Sequence, residues 1–200
     1  TQAKTLFPYT TALPISEKGK CFWLRIFEIP EGTKTSKGRA LQNLINISPD
    51  DKVRAIIDIQ NLEDEAYVNN HYIVLCTKQG TIKKTNLKDF SRPRQTGINA
   101  INIVDGDQLL AARLTDGNCE IMMAVKSGRA IRFHEETVRP TGRGATGVSG
   151  IDLDTQSDEV VGMICVNKDD KSKTVLVVSE KGYGKRTSLD DAETNEPNYR

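Results

Sequence analysis

Two hundred residues, 28% of them charged and 37% hydrophobic, suit one sizeable globular core or a few small ones. Lys and Arg number 28 against 27 Asp and Glu, which excludes a polybasic tail but leaves open a basic surface built by local segregation of charge. No apolar run approaches the roughly 20 residues of a bilayer span, and no basic–apolar–small leader is present.

Residues 1–16 carry Pro8 and Pro14, no alternation and no turn signal. Leu6-Phe7-Pro8-Tyr9-Thr10-Thr11 resembles a translated sequencing adaptor, and Ala12-Leu13-Pro14-Ile15-Ser16 resembles the same adaptor after a one-base shift. This segment is expected to lie outside the fold.

A repeating phrase begins at Glu17-Lys18-Gly19, a tight turn followed by the strand Cys21-Phe22-Trp23-Leu24-Arg25. The next copy has a strand at Tyr72–Thr77, the turn Lys78-Gln79-Gly80 and a second strand. The third has Glu120–Val125 and Lys126-Ser127-Gly128; the fourth has Thr174–Ser179 and Glu180-Lys181-Gly182. Each glycine stands where a hairpin needs positive φ. A second phrase follows about 17 to 19 residues later: Gly38-Arg39-Ala40, Gly97-Ile98-Asn99-Ala100-Ile101 and Gly147-Val148-Ser149-Gly150-Ile151. A third is an acidic turn before an apolar strand, at Asp50-Asp51, Asp105-Gly106-Asp107 and Ser157-Asp158-Glu159. β-Branched residues dominate the strands and no sustained helical period occurs. The expected fold is all-β and propeller-like, with four-stranded blades over about 17–60, 72–115, 119–167 and 174–200. The polar stretch from Asp190 to Arg200 breaks off within a blade, leaving three blades and part of another.

No catalytic phrase is present: no HExxH, GxSxG or Walker loop. His71 and His134 have no nucleophile phrase nearby. Gly142-Arg143-Gly144-Ala145-Thr146-Gly147 matches GxGxxG formally, but it does not open a helix after a strand, so it reads as a glycine-rich turn. Cys21, Cys76, Cys119 and Cys165 lack the paired spacing of a zinc site and read as buried reduced thiols, which suits the cytoplasm. No cofactor or metal is expected in this stretch.

Basic residues recur at matched places. The strand after each turn carries Lys83 and Lys84, then Arg129 and Arg132, then Lys185 and Arg186. The loop before the second phrase carries Lys34, Lys37 and Arg39, then Arg92 and Arg94, then Arg139 and Arg143. From Lys78 to Gly97 the one acid is Asp89 against six Lys and Arg, whereas acids gather in the third phrase. Blades in a ring would bring these cations onto one rim, a track suited to the phosphates of duplex DNA. Sparse aromatics argue against single-strand stacking.

These residues carry a family resemblance. Phe27-Glu28-Ile29-Pro30-Glu31-Gly32, Ser36–Ala40, Thr81-Ile82-Lys83-Lys84-Thr85, Gly97–Ile101, Arg139-Pro140-Thr141-Gly142-Arg143 and Glu180–Arg186 resemble the C-terminal domain of the DNA gyrase A subunit, with the likeness running from Glu17 to about Leu189. The resemblance implies a β-pinwheel that wraps duplex DNA around a basic edge. It also implies a bacterial, chromosome-associated enzyme that supercoils DNA with ATP and Mg. In that A2B2 assembly this domain works with the N-terminal part of its own chain and with an ATPase B subunit. The family's Gln-Arg-Arg-Gly-Gly-Lys-Gly box does not occur in these residues; Arg143-Gly144-Ala145-Thr146-Gly147 is a degenerate counterpart in the equivalent loop. The related domain of topoisomerase IV and a propeller-like protein-interaction module remain alternative readings.

Overall fold

The computed structural model describes residues 10–155, 157–170 and 172–190. Among these residues, fourteen strands in four sheets follow one another along the chain. In the first sheet, β1 (Thr11–Ser16) pairs on one side with β4 (Val53–Ile59). On its other side it pairs with β2 (Lys20–Cys21) and β3 (Leu24–Arg25). The second sheet places β5 (Tyr72–Thr77) between β6 (Thr81–Asn86) and β8 (Leu109–Thr115). The third places β9 (Cys119–Val125) between β10 (Ala130–His134) and β12 (Val160–Asn167). The fourth is the hairpin of β13 (Thr174–Val178) and β14 (Gly184–Ser188). A short α-helix, α1 (Glu65–Asn70), joins the first repeat to the second, capped by the Asp64 carboxylate accepting from Tyr67 N. At six residues it is too short to have left a helical period in the sequence.

Two expectations need correction. The segment set outside the fold supplies β1, the strand at the centre of the first sheet, with Leu13 and Ile15 fully buried. Pro14 concealed it, since a proline inside a run argues against a central strand. The structure accommodates Pro14 opposite the break between β2 and β3. Its carbonyl accepts Phe22 N at 2.9 Å, and there its ring can return no N–H. Residues 1–9 and 191–200 lie outside the described residues, as do the expectations that fall on them.

The second correction concerns blade boundaries. The Gly97 phrase does not stay in its own repeat. It forms β7 (Ile98–Asn99), which adds to β2 of the preceding sheet. The Gly147 phrase likewise forms β11 (Val148–Ser149), which adds to β6. Each of these two sheets is therefore completed from the following repeat, and blades of 17–60 and 72–115 are not self-contained.

The core lies between sheets, because the middle strands are buried on both faces and side chains alternate along a strand. Ile73 and Leu75 of β5 pack with Leu13, Ile15, Ile57 and Ile59 of the first sheet. Val74 and Cys76 pack the other way, with Ile121, Met123 and Met163 of the third. Met122 then faces Leu189 and Val175 of the fourth. Full burial of each such side chain contributes roughly 1.5–3 kcal/mol.

The acidic phrases cap the hairpin turns. Asp51 Oδ1 accepts from Lys18 N at 3.2 Å, Asp107 Oδ1 from Gln79 N at 3.0 Å, and Asp158 Oδ1 from Ser127 N at 3.0 Å. The carboxylates are thus fixed at the turn end of each blade by the geometry of the turn itself.

The turn glycines differ in what they touch. Gly80 has φ +87°, and a Cβ there would lie 2.5 Å from Ile151 O of the donated strand segment; Gly128 has φ +97° with open space around it. Gly128→Ala should therefore cost only the backbone term of about 1–2 kcal/mol. Gly80→Ala should cost clearly more, because the donated segment must also move. Urea unfolding midpoints of the two variants measure the difference.

Candidate nucleic-acid interface

The cations fall into two groups. In the first three repeats the fourth residue after the turn glycine reaches toward the next repeat: Trp23, Lys84 and Arg132. Trp23 Nε1 donates to Phe90 O at 2.9 Å. Lys84 Nζ donates to Glu135 O at 3.3 Å and pairs with Glu135 Oε2 at 3.0 Å. Arg132 donates to Leu189 O and Asp190 Oδ1, and its Nε pairs with Glu120 at 3.3 Å. All three acceptor carbonyls lie just after the second strand of the following repeat. These residues are latches between blades.

Lys83, Lys84 and Arg132 therefore do not belong to a DNA surface. Lys83 is 1% and Lys84 5% exposed, too little for either to reach a phosphate. The Lys84 ammonium also stands 4.4 Å from the centre of the Tyr72 ring. Its partner Glu135 is fully buried and accepts from Thr115 Oγ1 at 2.8 Å and Cys119 N at 2.9 Å. Glu135 takes the place that Leu87 holds one repeat earlier, where Trp23 packs against the cluster containing Leu87. An indole against an apolar cluster at one seam is replaced by an ammonium on a carboxylate at the next. Arg129 is exposed but committed, to Asp154 at 2.9 Å and to Asp152 O at 2.9 Å.

The second group is free. Arg92, Arg94 and Arg139 are exposed and have no ion-pair partner among the described residues, and Arg143 is half-buried. These loops lead into the donated strands. The register sets Asn99 opposite Lys20 and Ile98 opposite Cys21, so the Arg92–Arg94 loop joins the outermost strand of the first blade at the end away from its acid-capped turn. In the second blade, Ser149 opposes Thr81 and Val148 opposes Ile82, while Thr141 N donates to Lys84 O at 2.9 Å; the Arg139–Arg143 loop takes the equivalent place. The two outer segments are joined. Asn102 N donates to Ala145 O at 3.1 Å, and Lys83 Nζ donates to Ala100 O at 2.8 Å and Arg143 O at 2.7 Å. Basic loops and acidic turns are therefore separated within each blade.

Lys34, Lys37 and Arg39 occupy the equivalent first loop and are exposed, but residues 38–40 form no strand, and no preceding sheet is present among the described residues to receive them. Lys185 and Arg186 are exposed on β14. Lys88, absent from the expected set, is exposed in the turn just ahead of Arg92, and its place in the acid-poor stretch was the available signal.

Burial pushes the Cys76, Cys119 and Cys165 thiols to about 12 and raises Cys21 as well, so all four remain protonated. No helix among the described residues is long and apolar enough to cross a membrane.

The sequence signature of the DNA gyrase C-terminal domain, beta-propeller, matches residues 15–60, 71–116, 120–167 and 173–193. The chain belongs to that family. Its four matched segments are the four repeats described above. The chain is 37% identical over 186 residues to the DNA gyrase A subunit of Salmonella typhimurium, covering 93% of this chain and 20% of that protein. It is 38% identical over 186 residues to the gyrase A subunit of Chlamydia muridarum, covering 92% of this chain and 21% of that protein. It thus spans about one fifth of the length of these relatives. Among solved structures, the C-terminal domain of DNA topoisomerase IV superposes with a TM-score of 0.78 at 27% identity, over 94% of this chain and 57% of that one. A DNA gyrase A C-terminal domain superposes with a TM-score of 0.70 at 28% identity, over 89% and 54%. The all-β, propeller-like fold expected from the repeats is borne out by both.

Two outcomes are expected from the buried lysines Lys84 and Lys83. Lys84→Ala leaves the Glu135 carboxylate buried and unpaired, and should cost about 3–5 kcal/mol in chemical unfolding. Lys83 gives a pH signature. Burial pushes its ammonium down from 10.5 to about 8, Asp89 opposes the shift, and Arg143 adds to it. Between those pH values the unfolded chain holds the proton and the folded chain does not, so this group makes stability rise with pH. The unfolding free energy of the parent, measured relative to Lys83→Met, should climb by up to about 3 kcal/mol across that window.

Proposed function

We propose that this chain binds duplex DNA without sequence preference and bends it around the outer edge of its blades, as the DNA-wrapping part of a gyrase. One observation carries the reading. Arg92, Arg94 and Arg139 are exposed and unpaired by acids, and the segment that follows the first loop and β7 is tied to the second loop by Asn102 N to Ala145 O and by Lys83. Cations set along a continuous outer edge neutralise phosphates and release counterions. That gain offsets a bending cost of roughly 1–6 kcal/mol for 20–30 bp turned through 40–90°. Phosphate contacts hold the duplex in place and carry little sequence information. In the whole enzyme, wrapping would present a second segment of the same DNA for strand passage, with ATP hydrolysis supplied by the B subunit. The gyrase A sequences at 37–38% identity support gyrase, while the solved domains of gyrase and topoisomerase IV are alike in identity at 28% and 27%.

Replacing Arg92, Arg94 and Arg139 by alanine should weaken duplex binding equally across sequences. The slope of log K against log salt should fall by up to about 0.9 for each phosphate no longer neutralised. An unchanged slope removes these residues from the interface, and binding to a protein partner that ignores salt would favour the interaction-module reading. Ligation of nicked plasmid in the presence of the protein should shift the linking number; no shift would leave binding without wrapping.

A further inference from the structure

We infer that Lys83 is a positioning residue of the DNA-binding edge, holding the Arg143 loop in place; this rests on the duplex-DNA reading above. Lys83 stands third after its turn glycine. The same place in the neighbouring repeats holds Phe22, 2% exposed, and Ile131, half-buried. A buried apolar position has therefore received an ammonium, which costs several kcal/mol of desolvation unless its protons are well used. No carboxylate lies within ion-pairing distance of it among the described residues. What it meets are two backbone carbonyls from segments far apart in sequence: Ala100 O, just past the strand given to the first blade, and Arg143 O, in the loop that edges the second. Phe or Ile at this place could pack equally well but could hold neither carbonyl.

The loop needs such a tie. It contains Gly142 and Gly144, both with open space around them, and glycine leaves a backbone freer than any other residue. Pinning the Arg143 carbonyl fixes the backbone from which its guanidinium projects. It also fixes the offset between the outer segments of two successive blades. Lys83 thus acts on DNA through Arg143 without touching it.

The experiment is a double-mutant cycle on the full chain, read by equilibrium duplex binding and by nicked-plasmid ligation. Lys83→Met and Arg143→Ala should each lower affinity, by roughly three- to tenfold. The double variant should bind no more weakly than the poorer single, because both remove the same grip on phosphate. Gly142→Ala with Gly144→Ala, which stiffens the loop, should recover part of the loss in the Lys83→Met background; a general loss of stability would not be rescued in this way. Losses that multiply in the double variant, or a Lys83→Met chain that binds like the parent, overturn the inference. Where Lys83→Met does not fold, Lys83→Gln retains a donor and the same cycle is read on it. A parent chain that neither binds duplex nor shifts its linking number overturns the DNA reading itself, whereas a parent that does both beside an additive cycle overturns only the role of Lys83.

Discussion

An edge strand with unpaired N–H and C=O groups must be covered, and here the cover for the first and second blades comes from the repeat that follows. That constraint organises the other features. The donated segment has to cross from one blade to the preceding one, so a loop is needed at each seam. The loop lies on the perimeter because it joins an outermost strand. Its far end must pass the preceding hairpin turn closely, with Ala100 N donating to Gly19 O and Gly150 N to Gly80 O. Cationic loops on the outside and acid-capped turns at one end of each blade both follow from this path.

Successive blades are held by a second device, the latch at the fourth place after Gly19, Gly80 and Gly128. Its chemistry changes from an indole to an ammonium to a guanidinium, while the acceptor remains a backbone carbonyl of the next repeat. A carbonyl is available whatever the side chain, so the repeats could diverge in sequence without losing the joint. The Lys84–Glu135 pair is the costly form of the joint, since both partners are desolvated and neither can be removed alone.

The repeat architecture was legible because turn glycines, apolar strands and turn-capping acids are local signals. Asp51, Asp107 and Asp158 do the geometric work their positions suggested. Strand β1 was not legible, since Pro14 reads as a breaker unless the gap in the facing strand is known. The destination of the Gly97 and Gly147 phrases was also hidden: periodicity marks a strand but not the sheet it joins. Among the cations, sequence could not separate the loop arginines from Lys83, Lys84 and Arg132. Their partners lie 60, 51 and 57 residues away, respectively, at Arg143, Glu135 and Leu189. A hint was present all the same, for Phe22 and Ile131 at the place of Lys83 mark it as interior.

The donated strands bear on how load would travel. On the proposed reading, a bent duplex would recoil and pull on the loops that grip it. Because β7 and β11 each lie on the blade before their own, tension on one loop is resisted in shear by the ladder of one module and by the covalent chain of another. Such stress would be spread over pairs of neighbours, and no single module would carry a strained turn of DNA alone.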